Sequence, residues 1–490
     1  MTASTGEQSP FMESSAPMSP RPEHATHSAR ESFSRLMREE RLPGELIDLF
    51  LGYHGEIEAS HTGLIGENDI LPAKVEDFTH LDSLTRYAPE GRKLMHRAVC
   101  IRLNGGLGTS MGMTHAKSLL PARHDRSFLD IIHGQAEHQR KAHGGASPLL
   151  FMNSYATHAD TLRALESMAA PEHMPRCFLQ HRFPKVDRTT LLPVRSHEAD
   201  DMAWNPPGHG DIYAALVLSG MLDALLSEGR RWALVANADN LGASLDPAIL
   251  GYMAAHRIPF LMECARRTPA DSKGGHLART PEGGLVLREV AQCPADDMAH
   301  FQDIHRYGLF NTNNIWLDLA ALRDRVERYG LLRLPLILNP KTLDPRDPES
   351  TPVWQVETAM GAAIALFPGA TAIVTPRRRF LPVKRCNDLL LLWSDCFSLG
   401  EDFHLNRRVA HDSPLPRIDL DPKHYGTWDR LMQRFPHGAP AMRSCTAMQV
   451  RGDVRFGDDV ALDGEVRIRN SAKAQAVIPD GTRLSGEVHL

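Results

Sequence analysis

Between Ala98 and Leu399 short apolar runs alternate with longer stretches of helical periodicity, and no other feature constrains the fold as much. The segments "AVCIRL", "SPLLFMN", "RWALVAN", "PFLMECA" and "TAIVTP" read as buried strands, whereas "SFLDIIHGQAEHQRKA", "GDIYAALVLSGMLDALL" and "VWQVETAMGAAIALF" read as helices. Alternation of this kind predicts an α/β fold with a mostly parallel sheet. Ligands of such sheets sit beyond the carboxyl ends of the strands, so the loops that follow strands are the first places to look for chemistry.

The flanks differ in character. Residues 1–30 are rich in Ser, Thr and Pro with little bulky apolar content, which predicts a disordered tail. Residues 31–96 carry apolar side chains at helical spacing (Phe33, Leu36, then Leu46, Ile47, Phe50, Leu51) and form an N-terminal helical segment, ahead of an α/β unit spanning 97–405. In 406–490, "MQVRGDVRFGDDVALDGEVRIRN" alternates apolar with charged or small residues between Gly-Asp turns, the pattern of a short β-helix or β-sandwich.

Composition narrows the partners. At 490 residues and 42% hydrophobic content the chain has room for two or three domains, and a formal charge of −5 offers no basic field for nucleic acid or anionic lipid. The seven cysteines are scattered and never form a C-x-x-C pair, so they read as reduced thiols of a cytoplasmic protein. The first thirty residues lack the apolar core of a secretory signal, and no run is long enough for a membrane span.

The glycine-rich "LNGGLGTSMGMTHAKS" follows the first predicted strand and has the make-up of a phosphate loop. Counted back from Lys117-Ser118, a P-loop would need glycine at the positions held by Met111 and Ala116. A dinucleotide fingerprint begun at Gly106 and Gly108 fails at Met111. Neither familiar phosphate loop is present.

The segment instead resembles the signature L-x-G-G-x-G-T-x-x-G-x-x-x-P-K of the UDP-glucose pyrophosphorylase family (UTP:glucose-1-phosphate uridylyltransferases) in its eukaryotic-type form. Further matches follow in the same order: "LQHRFPKV", "WNPPGHGDIY", "VANADNLGASLD", "KGGHLAR", "LFNTNNIWLDL" and "RRRFLPVKRCNDLLLL". The resemblance extends from about residue 32 to the C-terminus. It implies a Rossmann-like (GT-A-like) nucleotidyltransferase with a central mixed sheet flanked by helices, and a C-terminal left-handed β-helix. The implied reaction is attack by glucose 1-phosphate on the α-phosphorus of UTP, giving UDP-glucose and pyrophosphate with Mg²⁺ as cofactor. An anionic nucleophile needs no side-chain base, so the chemistry calls for in-line positioning and neutralisation of negative charge.

By the same resemblance, Leu103, Asn104, Gly105 and Gly106 cradle the nucleotide, and Lys117 and Lys384 are the lysines that meet the phosphates. Gln180, whose amide both donates and accepts, matches the family's base-reading Gln. Gly208 falls near the base, Asn237 would contact nucleotide or ribose, and Asp239 matches the Asp that holds Mg²⁺ against the phosphates. His209, Asn313 and Glu357 match contacts to the sugar phosphate. The chain departs from the family pattern at Arg102 (usually Lys), in "GMTHAK" (usually G-C-K-G-P-K) and in "NADN" (usually N-S-D-N), and "DPRDPESTP" before Glu357 has the look of an insertion. Two alternatives stand beside this reading: a pyrophosphorylase of broader sugar-1-phosphate range, and a non-catalytic nucleotide-sugar-binding assembly protein. A homo-oligomer formed through the C-terminal element is a further expectation.

Overall fold

The computed structural model describes residues 23–123, 125–143, 147–168, 176–194, 200–410 and 413–490. The chain divides into two compact units, one built from Met1–Leu64, Phe183–Asn205 and Leu336–Val356, the other from Ile65–Arg182, Pro206–Pro335 and Glu357–Leu490. Among the described residues no single helix is long and apolar enough to cross a membrane.

In the first unit, helices α1 (Glu23–Glu39) and α2 (Gly44–Glu58) pack through the rings of Phe33 and Phe50, whose centroids lie 5.1 Å apart. Residues 1–22 of the expected tail lie outside the described residues, but Glu23–Arg30 are helical and not a tail. The reason is the burial of Ala29 together with Phe33 and Met37, an i, i+4, i+8 stripe that extends the helix face upstream of the expected start. The Phe183 ring packs tilted against Phe50 with centroids 5.2 Å apart, and Val186 pairs with Trp354.

The second unit holds an eleven-stranded sheet. Its main path uses β1 (Thr79–His80), β2 (Ala98–Asn104), β3 (Leu149–Asn153), β4 (Arg176–Leu179), β5 (Trp232–Asn237), β6 (Phe260–Arg266), β7 (Leu309–Asp318) and β8 (Thr371–Val374), in the spatial order β1-β8-β6-β7-β5-β2-β3-β4. All five strand segments read from the sequence are here. The neighbours pair in parallel except β7, which runs antiparallel to both β5 and β6, so the sheet is mixed. Helices α3 (Phe128–His143) and α4 (Tyr155–Met168) follow β2 and β3. The predicted helix after "PPGHGD" is split into α5 (Ile212–Leu218) and α6 (Met221–Ser227) by Gly220 at φ +73°.

One helix expectation fails. "VWQVETAMGAAIALF" forms a strand, Pro352–Glu357, followed by a 3₁₀ segment, Met360–Leu366, so Glu357 ends a strand and does not lie on a helix face. Val353 and Val356 are both fully buried, and their i, i+3 spacing imitates a helix stripe.

Toward the C-terminus the strands β9 (Arg417–Leu420), β10 (Ala441–Arg451), β12 (Ala461–Arg469) and β14 (Arg483–His489) stack in parallel, and β11 (Val454–Phe456) pairs in parallel with β13 (Ala476–Ile478). One hydrophobic core runs from Trp232, Leu234 and Phe151 of the sheet into Leu431, Phe435, Val450 and Ile468 of this region. The C-terminal strands are therefore packed as part of the second unit.

Candidate active site

Register brings the site together. Asn237 of β5 lies opposite Leu103 of β2, Asn104 opposite Asn153 of β3, and Asn153 opposite Leu179 of β4. Adjacent parallel strands thus end level with one another, and the segments leaving them carry Asp239, the glycine loop and Gln180 to one place. A cavity of about 430 Å³ lies there, lined by Leu103, Asn104, Gly105, Gly106, Lys117, Gln180, Gly208, His209, Asn237 and Asp239 among others. Ten of the predicted site residues therefore meet around one space.

The glycine loop folds back on itself. The Lys117 N–H donates to the Gly106 carbonyl at 3.1 Å, and Gly108 takes φ +64°, a left-handed conformation that glycine adopts freely. This return places the Lys117 Nζ 2.6 Å from Asp239 Oδ2, an ion pair across a sequence separation of 122 residues. Asp239 Oδ1 is buried and has no hydrogen-bond partner. A buried carboxylate oxygen without a donor is costly unless something positive meets it.

On the opposite wall, Gln180 Nε2 donates to the Gly208 carbonyl at 2.8 Å. The Gln180 N–H donates to the Asn153 carbonyl at 2.8 Å, which anchors its backbone to β3. Gly208 sits at φ +76°, and a side chain there would come within 2.4 Å of the Thr358 carbonyl oxygen, so only glycine fits. The next residue, His209, accepts the Met360 N–H on Nδ1 at 2.9 Å. Burial, with the positive charge of Lys384 adding to it, pushes the His209 pKa down to about 4. The ring is neutral near pH 7 and carries its proton on Nε2.

Three predicted residues do not line this cavity. Lys384 lies beyond it, close enough to act electrostatically on His209 and Glu289, and its N–H donates to the Asp388 carboxylate at 2.8 Å where a helix, Cys386–Trp393, begins. Asn313 occupies φ +57° at a bulge inside β7, and its Oδ1 accepts from Asn311 Nδ2 at 3.0 Å. Glu357 packs its Cβ against Gly208. The Asn104 Nδ2 is committed to the protein, since it donates to both Asn153 and Thr161 at 2.9 Å. Arg102, where relatives are expected to carry Lys, is buried and donates to the carbonyls of Asn240 and Ala243 beneath the Asp239 loop.

A residue that the sequence reading passed over is Glu289. Burial raises its pKa, against the opposing effects of a hydrogen bond from Asn311 and the charge of Lys384. A Cβ on Gly275 would fall 2.5 Å from its carboxylate, so the second glycine of "KGGHLAR" was the signal for a close side chain.

Comparison with known proteins decides the family. The model described as UTP--glucose-1-phosphate uridylyltransferase matches residues 49–463. The chain belongs to the UTP--glucose-1-phosphate uridylyltransferase family. It is 38% identical over 416 residues to the enzyme of that name from Solanum tuberosum (84% of this chain, 85% of the relative). It is 40% identical over 401 residues to the one from Saccharomyces cerevisiae (82% and 79%). A solved UDP-glucose pyrophosphorylase from Leishmania major in complex with UDP-glucose superposes with a TM-score of 0.88 at 38% identity, covering 94% of this chain and 99% of that one. The alternation, the mixed sheet and the eukaryotic-type motifs are thus those of this uridylyltransferase family.

Proposed function

We propose that this chain transfers uridylyl from UTP to glucose 1-phosphate, releasing pyrophosphate and UDP-glucose. The observation that carries the reading is the Lys117–Asp239 pair with its partnerless Asp239 Oδ1, set opposite Gln180 at the ends of level parallel strands. In the reaction, a phosphate oxygen of glucose 1-phosphate forms a bond to the α-phosphorus of UTP. The bond from that phosphorus to the bridging oxygen breaks, and the electron pair leaves with pyrophosphate.

Each wall has a task. Gln180 offers a donor and an acceptor to the edge of a uracil, Gly105 and Gly106 let the ligand approach the backbone, and Lys117 neutralises phosphate charge. His209, neutral and protonated on Nε2, donates to a phosphate or sugar oxygen without adding charge. Lys384 supplies the second positive charge toward the phosphates, and Glu289, Asn311 and Asn313 are suited to sugar hydroxyls. Asp239 fits Mg²⁺: no group of three or more potential ligands exists among the described residues, and one carboxylate plus substrate phosphates is a common way to hold this ion. When bound, the cation supplies neutralisation of the triphosphate's negative charge. We further read the sheet as GT-A-like and the C-terminal coils as a left-handed β-helix. The support for the latter is the parallel pairing of β10 with β12 and of β12 with β14, alongside that of β11 with β13.

The test is pyrophosphate release by the purified protein with UTP, glucose 1-phosphate and Mg²⁺, with a Lys384→Ala control and product masses recorded across a panel of sugar 1-phosphates. Release no greater than in the control refutes the reading, and equal use of several sugars replaces it with a broad UDP-sugar pyrophosphorylase.

A further inference from the structure

Asn240 follows Asp239 directly and is only 1% exposed. Its side-chain amide makes all the hydrogen bonds such a group can make. Nδ2 donates to Asn314 Oδ1 at 3.0 Å and to the Arg379 carbonyl at 3.1 Å, while Oδ1 accepts the N–H groups of Leu381 at 2.9 Å and Gly242 at 3.2 Å. Two of these four bonds reach the segment that leads into Lys384. The backbones of the two segments also meet: Asn240 forms an isolated antiparallel bridge with Pro382, and the Val383 N–H donates to the Asp239 carbonyl at 3.4 Å.

The far side of the joint is equally fixed. Asn314 Nδ2 donates to the same Arg379 carbonyl at 3.1 Å, and the Arg379 guanidinium makes two 2.6 Å bonds to Glu263, which is fully buried and also accepts from Trp316 Nε1 at 2.8 Å. Arg102 holds the Asn240 carbonyl from below at 3.1 Å. Neither Asn240, Asn314, Glu263 nor Arg379 lines the cavity. A buried amide with all four of its hydrogen bonds made, as Asn240 has, fixes geometry because any shift leaves a polar group unpaired.

We infer that Asn240 is a positioning residue that sets Lys384 against Asp239, so that the two reach the phosphates of one nucleotide at the same time. The inference rests on the reaction proposed above. A displacement of about 1 Å in a reacting group costs on the order of 100-fold in rate, so release of the Arg379–Leu381 segment lowers kcat far more than it weakens UTP binding.

A double-mutant cycle in the full-length chain tests this. Asn240→Ser and Asn240→Asp are each made alone and on Lys384→Ala, with enzyme in excess over labelled UTP so that slow residual turnover is read, and with uridine binding stoichiometry counting the folded fraction. The expected result is a kcat loss of about 30- to 100-fold with the UTP KM within about threefold, and a further loss below about threefold on Lys384→Ala. The same loss in both backgrounds, or loss of uridine binding in both Asn240 variants, overturns the inference by making Asn240 a general structural residue. An inactive unmodified protein refutes the proposed reaction itself, whereas an active one with an additive cycle refutes only the role of Asn240.

Discussion

Replacing Gly105 by alanine probes the site without touching any charged group. The new Cβ would lie 2.8 Å from Gln180 Oε1, about 0.6 Å inside ordinary contact, with Ser154 Cβ also in contact at 3.5 Å. The atom it meets is the end of a flexible side chain, so Gln180 moves and the fold survives. In moving, it gives up the 2.8 Å bond to the Gly208 carbonyl, about 0.5–1.5 kcal/mol, and loses its alignment toward the base, a further loss of similar size. Together these correspond to a rise in UTP KM of about 5- to 150-fold with kcat within about threefold, the pattern of lost uniform binding. Steady-state pyrophosphate release against UTP concentration measures it, with Gln180→Ala as a second background. An unchanged KM, or the same penalty when Gln180 is already absent, would refute the reasoning.

Three other outcomes are expected. Asp239→Asn leaves Lys117 without its carboxylate and lowers kcat by about 10²- to 10³-fold, with the magnesium concentration for half-maximal rate shifted upward in a metal titration. His209 and His276 are held neutral in the fold, with pKa values pushed down to about 4 and about 3 chiefly by burial. Because the unfolded chain binds those protons near pH 6.5 and the native one does not, stability falls as pH drops from about 6.5 toward those values, and His209→Gln flattens the melting temperature against pH by about one proton. Ala116 is buried at φ −55°, within proline's range, and no hydrogen bond from its N–H is seen. Ala116→Pro therefore raises stability by about 0.4–1 kcal/mol in a denaturant titration, whereas destabilisation would mean that the proline ring does not fit.

The central strands were legible because each is a short, nearly unbroken apolar run, and the glycine loop because its residues are contiguous. The antiparallel β7 was not, since direction is decided by pairing with β5 and β6 and leaves no trace in "LFNTNNIWLDL". The segment around Glu357 was misread because Val353 and Val356 are buried at a spacing that suits either element, and its strand partner Val186 lies far away in sequence. Asn104 lines the cavity, but its Nδ2 is committed to Asn153 and Thr161, contacts made across separate elements that its own sequence neighbourhood does not reveal. Glu289 and Asn240 escaped notice for the same reason: their meaning comes from Asn311, Lys384, Arg379 and Leu381, none of them a neighbour in the chain.

The 2.6 Å contact between Lys117 and Asp239 also sets one positive charge against one negative charge inside the cavity. Each group occupies the other, so a lone phosphate must compete with a carboxylate and a lone cation must compete with an ammonium. Whatever draws off one releases its partner, and an anion and a cation arriving together meet no such competition. An anion and a cation that bound here as a pair would therefore each favour the other, with a reciprocity that thermodynamic linkage requires.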